Sequence, residues 1–178
     1  AGNTLFPWKL HTMKNGLRVG IVGIVTDYVN IWEKEENLKG IHITDPFEAA
    51  KNALAQMKEQ TDLTICIYHG GFECDLESGA VLSKTTENVG YRICKELDFD
   101  ILLTGHQHMS VPGRDISGTY TVQPCDNAKE YQYLEVTMTD HEKSIRSELR
   151  QSDAAKGTVL ADKYRSTENA VQAWLNQP

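Results

Sequence analysis

The sequence predicts an α/β fold: a parallel-core sheet with crossover helices and antiparallel edge strands. Three observations predict it. β-Branched, nearly continuous apolar runs recur at residues 17–26, 63–68 and 99–103, as strands buried on both faces do. Helical spacing separates those runs, and strand, helix, strand, helix, strand builds a parallel sheet through right-handed crossovers. Beyond residue 110 the pattern changes to shorter strands joined by turns.

The first run, LRVGIVGIVT over residues 17–26, follows the turn dipeptide Asn15-Gly16. Residues 27–40 are polar and irregular, a loop at that strand's carboxyl end. A helix then starts: Asp45 suits its N-cap, Pro46 its first turn and Glu48 a capping box. Phe47, Ala50, Leu54 and Met57 fall on one face. The second strand, LTICIY over residues 63–68, leads into a loop rich in Gly and acidic residues that runs from His69 to about Thr85. A second helix is expected over residues 87–97, with Val89, Ile93 and Leu97 at helical spacing. The third strand, 99–103, ends at Thr104-Gly105. Strands expected at 119–123 and 133–139 read as antiparallel and extend the sheet at its edge, with turns at Pro112-Gly113 and Ser117-Gly118. A last helix, about 162–175, carries Tyr164, Ala170, Val171 and Trp174 and either packs back on the domain or leads to another.

With 178 residues, 40% of them hydrophobic and 24% charged, the chain can bury one ordinary core. Its net charge of -7 argues against binding polymeric nucleic acid through a basic face. Small phosphate esters stay open as substrates, because a bound cation can supply positive charge locally. The longest apolar stretch, Val19 to Val25, is broken by Gly20 and Gly23. It is far short of the roughly 20 residues that cross a bilayer, so no membrane partner is expected. Cys66, Cys74, Cys94 and Cys125 form no Cys-x-x-Cys pair and read as free thiols. Free thiols tilt the expected compartment to the cytoplasm, export to the periplasm or cell surface being the alternative. The start, Ala1-Gly2-Asn3, has no initiator Met and no leader pattern.

The candidate chemistry lies in three of the six histidines, His69, His106 and His108. Ligands of open parallel sheets bind beyond the carboxyl ends of the strands. His69 directly follows the second strand, and His106 and His108 follow the third. Strands about 4.8 Å apart let both loops bring imidazoles to one cleft. In the bent segment Gly105-His106-Gln107-His108, histidines two apart can face different partners, which suits two cations about 3.5 to 4 Å apart, one imidazole for each. Imidazole suits zinc and other first-row transition metals. His11, His42 and His141 are expected to be ordinary surface histidines. His42 alternates with Ile41 and Ile43 as a solvent-facing residue beside buried ones, and the other two sit in polar, turn-like stretches.

The segments Thr64-Ile65-Cys66-Ile67-Tyr68-His69-Gly70-Gly71 and Leu103-Thr104-Gly105-His106-Gln107-His108 resemble the calcineurin-like metallophosphoesterases. The branch is that of 5'-nucleotidases, UDP-sugar hydrolases and 2',3'-cyclic-nucleotide phosphodiesterases. Supporting matches are Asn15 to Gly23, Thr44-Asp45-Pro46 with its Glu-Ala-Ala helix, and Glu87-Asn88; together they span about residues 5–137. The resemblance implies half of a metallophosphoesterase β-sandwich, two divalent metal ions (zinc or manganese), His69 and His106 on one ion, and His108 on the other. Glu87 and Asn88 are assigned first to starting the second helix, and Cys125-Asp126-Asn127 stands where the family has a glycine.

The family's other ligand motifs, Asp-x-His, the Asp of Gly-Asp and the Asn of Gly-Asn-His, do not occur in the sequence. Residues 1–150 are therefore expected to be the C-terminal part of a metallophosphoesterase catalytic domain. Residues 151–178 are expected to be a helical connector toward a C-terminal nucleotide-recognising domain that this chain does not contain. The expected partners are a nucleotide or other small phosphate ester, the missing N-terminal half of the catalytic domain and that C-terminal domain. The expected activity of the longer protein is metal-dependent hydrolysis of nucleotide phosphate esters, the chain alone being catalytically poor. The alternatives are a non-catalytic binding module that keeps the fold, and a single-zinc hydrolase whose carboxylate is Glu73 or Asp75.

Overall fold

The computed structural model describes residues 7–139, 142–152 and 159–177. His141 and the Ala1-Gly2-Asn3 start lie outside the described residues, as does part of the junction between the two expected segments. The elements run β1 (Lys9–Thr12), β2 (Arg18–Val25), α1 (Val29–Trp32), α2 (Pro46–Met57), a 3-10 turn (Lys58–Gln60), β3 (Leu63–His69), α3 (Gly90–Glu96) and β4 (Ile101–Leu103). β5 (Val111–Ile116), β6 (Thr119–Gln123), β7 (Glu130–Met138), β8 (Lys143–Gln151) and α4 (Val159–Leu175) follow.

Six strands form one sheet in the order β1-β2-β3-β4-β6-β5. Its core, β2-β3-β4-β6, is parallel, and β1 and β5 add antiparallel edges. The α/β fold class with a parallel core is what the sequence predicts. Its three long runs are β2, β3 and β4, and α2 keeps its expected start: the Asp45 side chain accepts from the Glu48 N–H at 3.0 Å. Phe47, Ala50, Leu54 and Met57 are all buried on one face of the sheet with Val22, Cys66, Tyr68 and Leu102.

Several expectations are corrected. β6 pairs parallel with β4, so only its partner β5 runs antiparallel to it. The strand near 133–139 is not an edge of that sheet. It is β7, which pairs with β8 as a separate two-stranded sheet, and Leu134, Val136, Met138 and Ile145 cover Val19, Leu63 and Ile101 on the second face. Lys143 to Asp100 at 2.7 Å and Ser147 Oγ to the Tyr120 hydroxyl at 2.9 Å tie this hairpin down. The loop at 27–40 contains the short helix α1. The helix expected from Glu87 begins at Gly90, with Val89 at its cap. His11 lies in β1 and not in a turn. His42 has no buried neighbour on the Ile41 side, since Ile41 is 58% exposed and the segment forms no strand. In α4 the described side chains, from residue 163 on, are exposed, Trp174 included.

The described residues cover the second face only in part. The hairpin shields its amino-terminal part, while Gly23, Ile67 (47% exposed) and His69 stay open toward the carboxyl ends of the strands. All four cysteines are free, and Cys66, Cys74 and Cys94 are buried. Burial pushes the Cys94 thiol up to about 12, so it is inert as a nucleophile. None of the described helices is long and apolar enough to cross a membrane.

At the opposite end of the sheet, Arg18 on β2 is clamped to Asp62 before β3, with Arg18 Nη2 2.7 Å from Oδ1 and the Arg18 N–H 2.9 Å from Oδ2. The guanidinium bonds first, and that N–H second, hold the Asp62 carboxyl at about 2, below its ordinary 3.8. A depressed carboxylate pKa stabilises the fold above the ordinary value, and the contribution is lost as pH falls from about 4 toward 2. Asp62→Asn is predicted to flatten the acid limb of stability over that window in urea titrations at stepped pH. An unchanged limb would remove Asp62 from the acid response.

Candidate metal centre

The carboxyl ends of β2, β3 and β4 are knitted together by a small set of bonds. Thr26, fully buried, donates its N–H to the His69 carbonyl at 3.0 Å and its hydroxyl to the Glu87 carbonyl at 2.7 Å. Tyr68 donates its hydroxyl to the same Glu87 carbonyl at 3.2 Å and accepts from the Val89 N–H at 3.3 Å. The Gly105 N–H reaches the Gly70 carbonyl at 3.1 Å, joining the loops after β3 and β4. Asn88 accepts the Gly71 N–H at 2.7 Å. Glu87 and Asn88 therefore serve this edge and do not start α3.

On this frame the structure brings His69 and His106 together, their ring centroids 5.4 Å apart. The His106 ring also stacks on Trp32 of α1 at 5.0 Å and 29°, and Tyr28 meets Trp32 edge-on at 5.8 Å. His106 Nε2 lies 2.9 Å from Glu87 Oε1. His108 stands apart, with its side chain 72% exposed and its Nδ1 4.0 Å from Asp126 Oδ2. His106 and His108 both have left-handed backbones, φ 68° and 53°. That conformation costs a non-glycine residue on the order of 1 kcal/mol and is worth attention where it persists. Asn127 and Ala128 are left-handed too, at φ 60° and 52°, in the loop after β6.

Trp32, Glu87 beside His106, and Asp126 as a neighbour of His108 are not foreseen from the sequence. Of the three only Glu87 leaves a signal there, in the Glu87-Asn88 pair. Glu73 and Asp75, offered as a carboxylate for one zinc ion, are engaged elsewhere. Glu73 accepts the N–H groups of Tyr91 and Arg92 at 3.0 and 2.6 Å and so caps α3. Burial raises its pKa, more than those two bonds lower it. Asp75 closes a local turn through Ser78, whose hydroxyl and N–H hold its carboxyl below the ordinary range.

Imidazoles and carboxylates together are a donor set suited to a divalent first-row cation. Among the described residues, however, no group of three or more His, Cys, Asp or Glu converges to hold a metal ion. The edge thus brings together two adjoining imidazoles with a carboxylate on one of them, and His108 follows two residues after His106 in the same loop.

No protein-family model matches the chain. It is 29% identical over 103 residues to a 2',3'-cyclic-nucleotide 2'-phosphodiesterase/3'-nucleotidase of Salmonella typhimurium, which covers 57% of this chain and 15% of that protein. It is 23% identical over 146 residues to the uncharacterised metallophosphoesterase YunD of Bacillus subtilis, 79% of this chain and 27% of that one. Among solved structures, a candidate 5'-nucleotidase of Staphylococcus aureus superposes with a TM-score of 0.81 at 28% identity, over 95% of this chain and 34% of that one. The chain thus spans about a third or less of the length of these relatives.

Proposed function

We propose, for a chain that belongs to the metallophosphoesterases of the 5'-nucleotidase type, that it carries the histidine side of a dinuclear centre hydrolysing nucleotide phosphate esters. The observation that carries this reading is the pairing of His69 with His106 at the carboxyl edge of the parallel sheet, with Glu87 on His106. His69 and His106 hold one divalent cation and His108 the second, zinc or manganese in each case. Bound there, the pair supplies the positive charge for phosphoryl oxygens and an activated water.

The chain's own residues prepare that site. Glu87 occupies Nε2 of His106, leaving Nδ1 as the ligating nitrogen, and a carboxylate on the far nitrogen fixes ring orientation and raises ligand basicity. Trp32 covers one face of the His106 ring and limits its rotation. The remaining ligands come from a part of the protein outside this chain, and the open face around Gly23, Ile67 and His69 supports that reading. Residues 1–150 form this part of the catalytic domain, and 151–178 lead to the domain that selects the nucleotide. The single-zinc alternative loses its carboxylates to the cap of α3 and the Asp75 turn.

The test is chelation of the full-length protein followed by addition of manganese or zinc, assayed on 5'-nucleotides and 2',3'-cyclic nucleotides. Hydrolysis is expected to fall to background on chelation and to return with the cation, on one substrate class more than the other. Activity that survives exhaustive chelation contradicts the reading.

A further inference from the structure

We propose that Gln107 is the positioning residue that fixes His106 and His108 relative to His69, an inference that rests on reading these histidines as metal ligands. Gln107 sits between two left-handed residues, in a loop that belongs to no helix or strand. Its own N–H reaches only back to the Gly105 carbonyl, at 2.8 Å. The side-chain amide supplies the tie across the site. Oε1 accepts the Phe72 N–H at 2.8 Å, and Nε2 donates to the Phe72 carbonyl at 3.0 Å.

One amide that satisfies both backbone groups of one residue acts as a rung of a β-ladder, with a side chain in place of a strand. The rung spans from the loop after β4 to the loop after β3. His69 lies three residues before Phe72, and the other two histidines flank Gln107. Gly71 makes the approach possible, because a Cβ there would stand 2.1 Å from Gln107 Oε1. The requirement is specific in chemistry: the site needs an acceptor and a donor on one planar group. Glutamate supplies only the acceptor when ionised, and alanine neither.

The test compares Gln107→Ala and Gln107→Glu with the unaltered full-length protein. It reads hydrogen exchange at the Phe72 amide, the imidazole NMR signals of His69, His106 and His108, and manganese affinity by calorimetry. In Gln107→Ala the Phe72 amide is expected to exchange about tenfold faster or more, the imidazole signals to move, and manganese affinity to fall about 10- to 100-fold, as on losing a group that orients a ligand. Gln107→Glu is expected to keep the Phe72 amide protected yet still weaken manganese, because its second oxygen faces the Phe72 carbonyl. A purely structural role would leave manganese affinity unchanged in a folded variant. Unchanged imidazole signals and Phe72 exchange in Gln107→Ala would overturn the proposal. If the unaltered protein takes up no manganese, the metal reading fails separately, and the exchange and imidazole readouts still decide whether Gln107 positions the three rings.

Discussion

Tyr68→Ala is expected to destabilise the fold by about 3 to 5 kcal/mol, the range for truncating a large aromatic side chain in a core. The ring is 1% exposed and lies so close over Gly70 that a Cβ there would meet its Cζ at 2.0 Å. Burial also pushes the phenol pKa up, so the hydroxyl stays protonated and can donate. Tyr68→Phe separates ring from hydroxyl. It keeps the packing but leaves the buried Val89 N–H without an acceptor, a loss of about 1 to 3 kcal/mol. The Glu87 carbonyl keeps its second donor, Thr26, which is why the smaller variant is expected to fold. Urea titration of both variants measures the difference. Equal losses would mean that the hydroxyl, not the ring, dominates.

His106→Ala is the substitution with the largest expected effect on activity, a fall of more than about a hundredfold in kcat/KM. Losing an outer partner of a ligand already costs about 10- to 100-fold, and His106 is proposed as a ligand itself. It also touches more of the site than its neighbours do: His69, Trp32 and Glu87 all meet its ring. Glu87→Gln keeps the size and one hydrogen bond but loses the charge, so its effect belongs in that 10- to 100-fold range. His42→Ala is the control, because His42 is exposed on a segment without strand or helix and should leave activity unchanged. Should His106→Ala keep full activity while the fold is intact, the centre lies elsewhere.

The parts of the fold legible in the sequence are those whose burial is complete. β2 and β3 are covered on both faces over much of their length and so write nearly unbroken apolar runs. α2 announces itself through Asp45 and Pro46. β1 is exposed at all four residues and leaves no pattern. β5 contains Pro112 and Gly113, which read as a turn, and its pairing is irregular between Val111 and Arg114. β8 carries only Ile145 and Leu149 as apolar residues among charged and polar ones, so its role as the outer half of a hairpin is invisible without β7.

The site divides in the same way. The placement of His69 at the end of β3, and of His106 and His108 just after β4, was legible because the ends of those strands were. The partners of these histidines were not, since Glu87 meets His106 across 19 residues and Asp126 approaches His108 from the turn that follows β6, with β5 and β6 between them in sequence. Such pairings depend on how loops close, and no local spacing encodes that. Trp32 was hidden in a stretch read as plain loop; one turn of helix places it over the His106 ring.

The most direct test of the central claim is elemental analysis of the full-length protein and of its His69→Ala/His106→Ala double variant, with hydrolysis of a generic phosphate ester measured on the same samples. Close to two manganese or zinc ions per chain, with activity, are expected in the first, in keeping with paired-cation phosphoesterase centres. A clear loss of both metal and activity is expected in the second. A full-length protein with neither metal nor activity, or a double variant that keeps both, would rule out a metal centre built on His69 and His106.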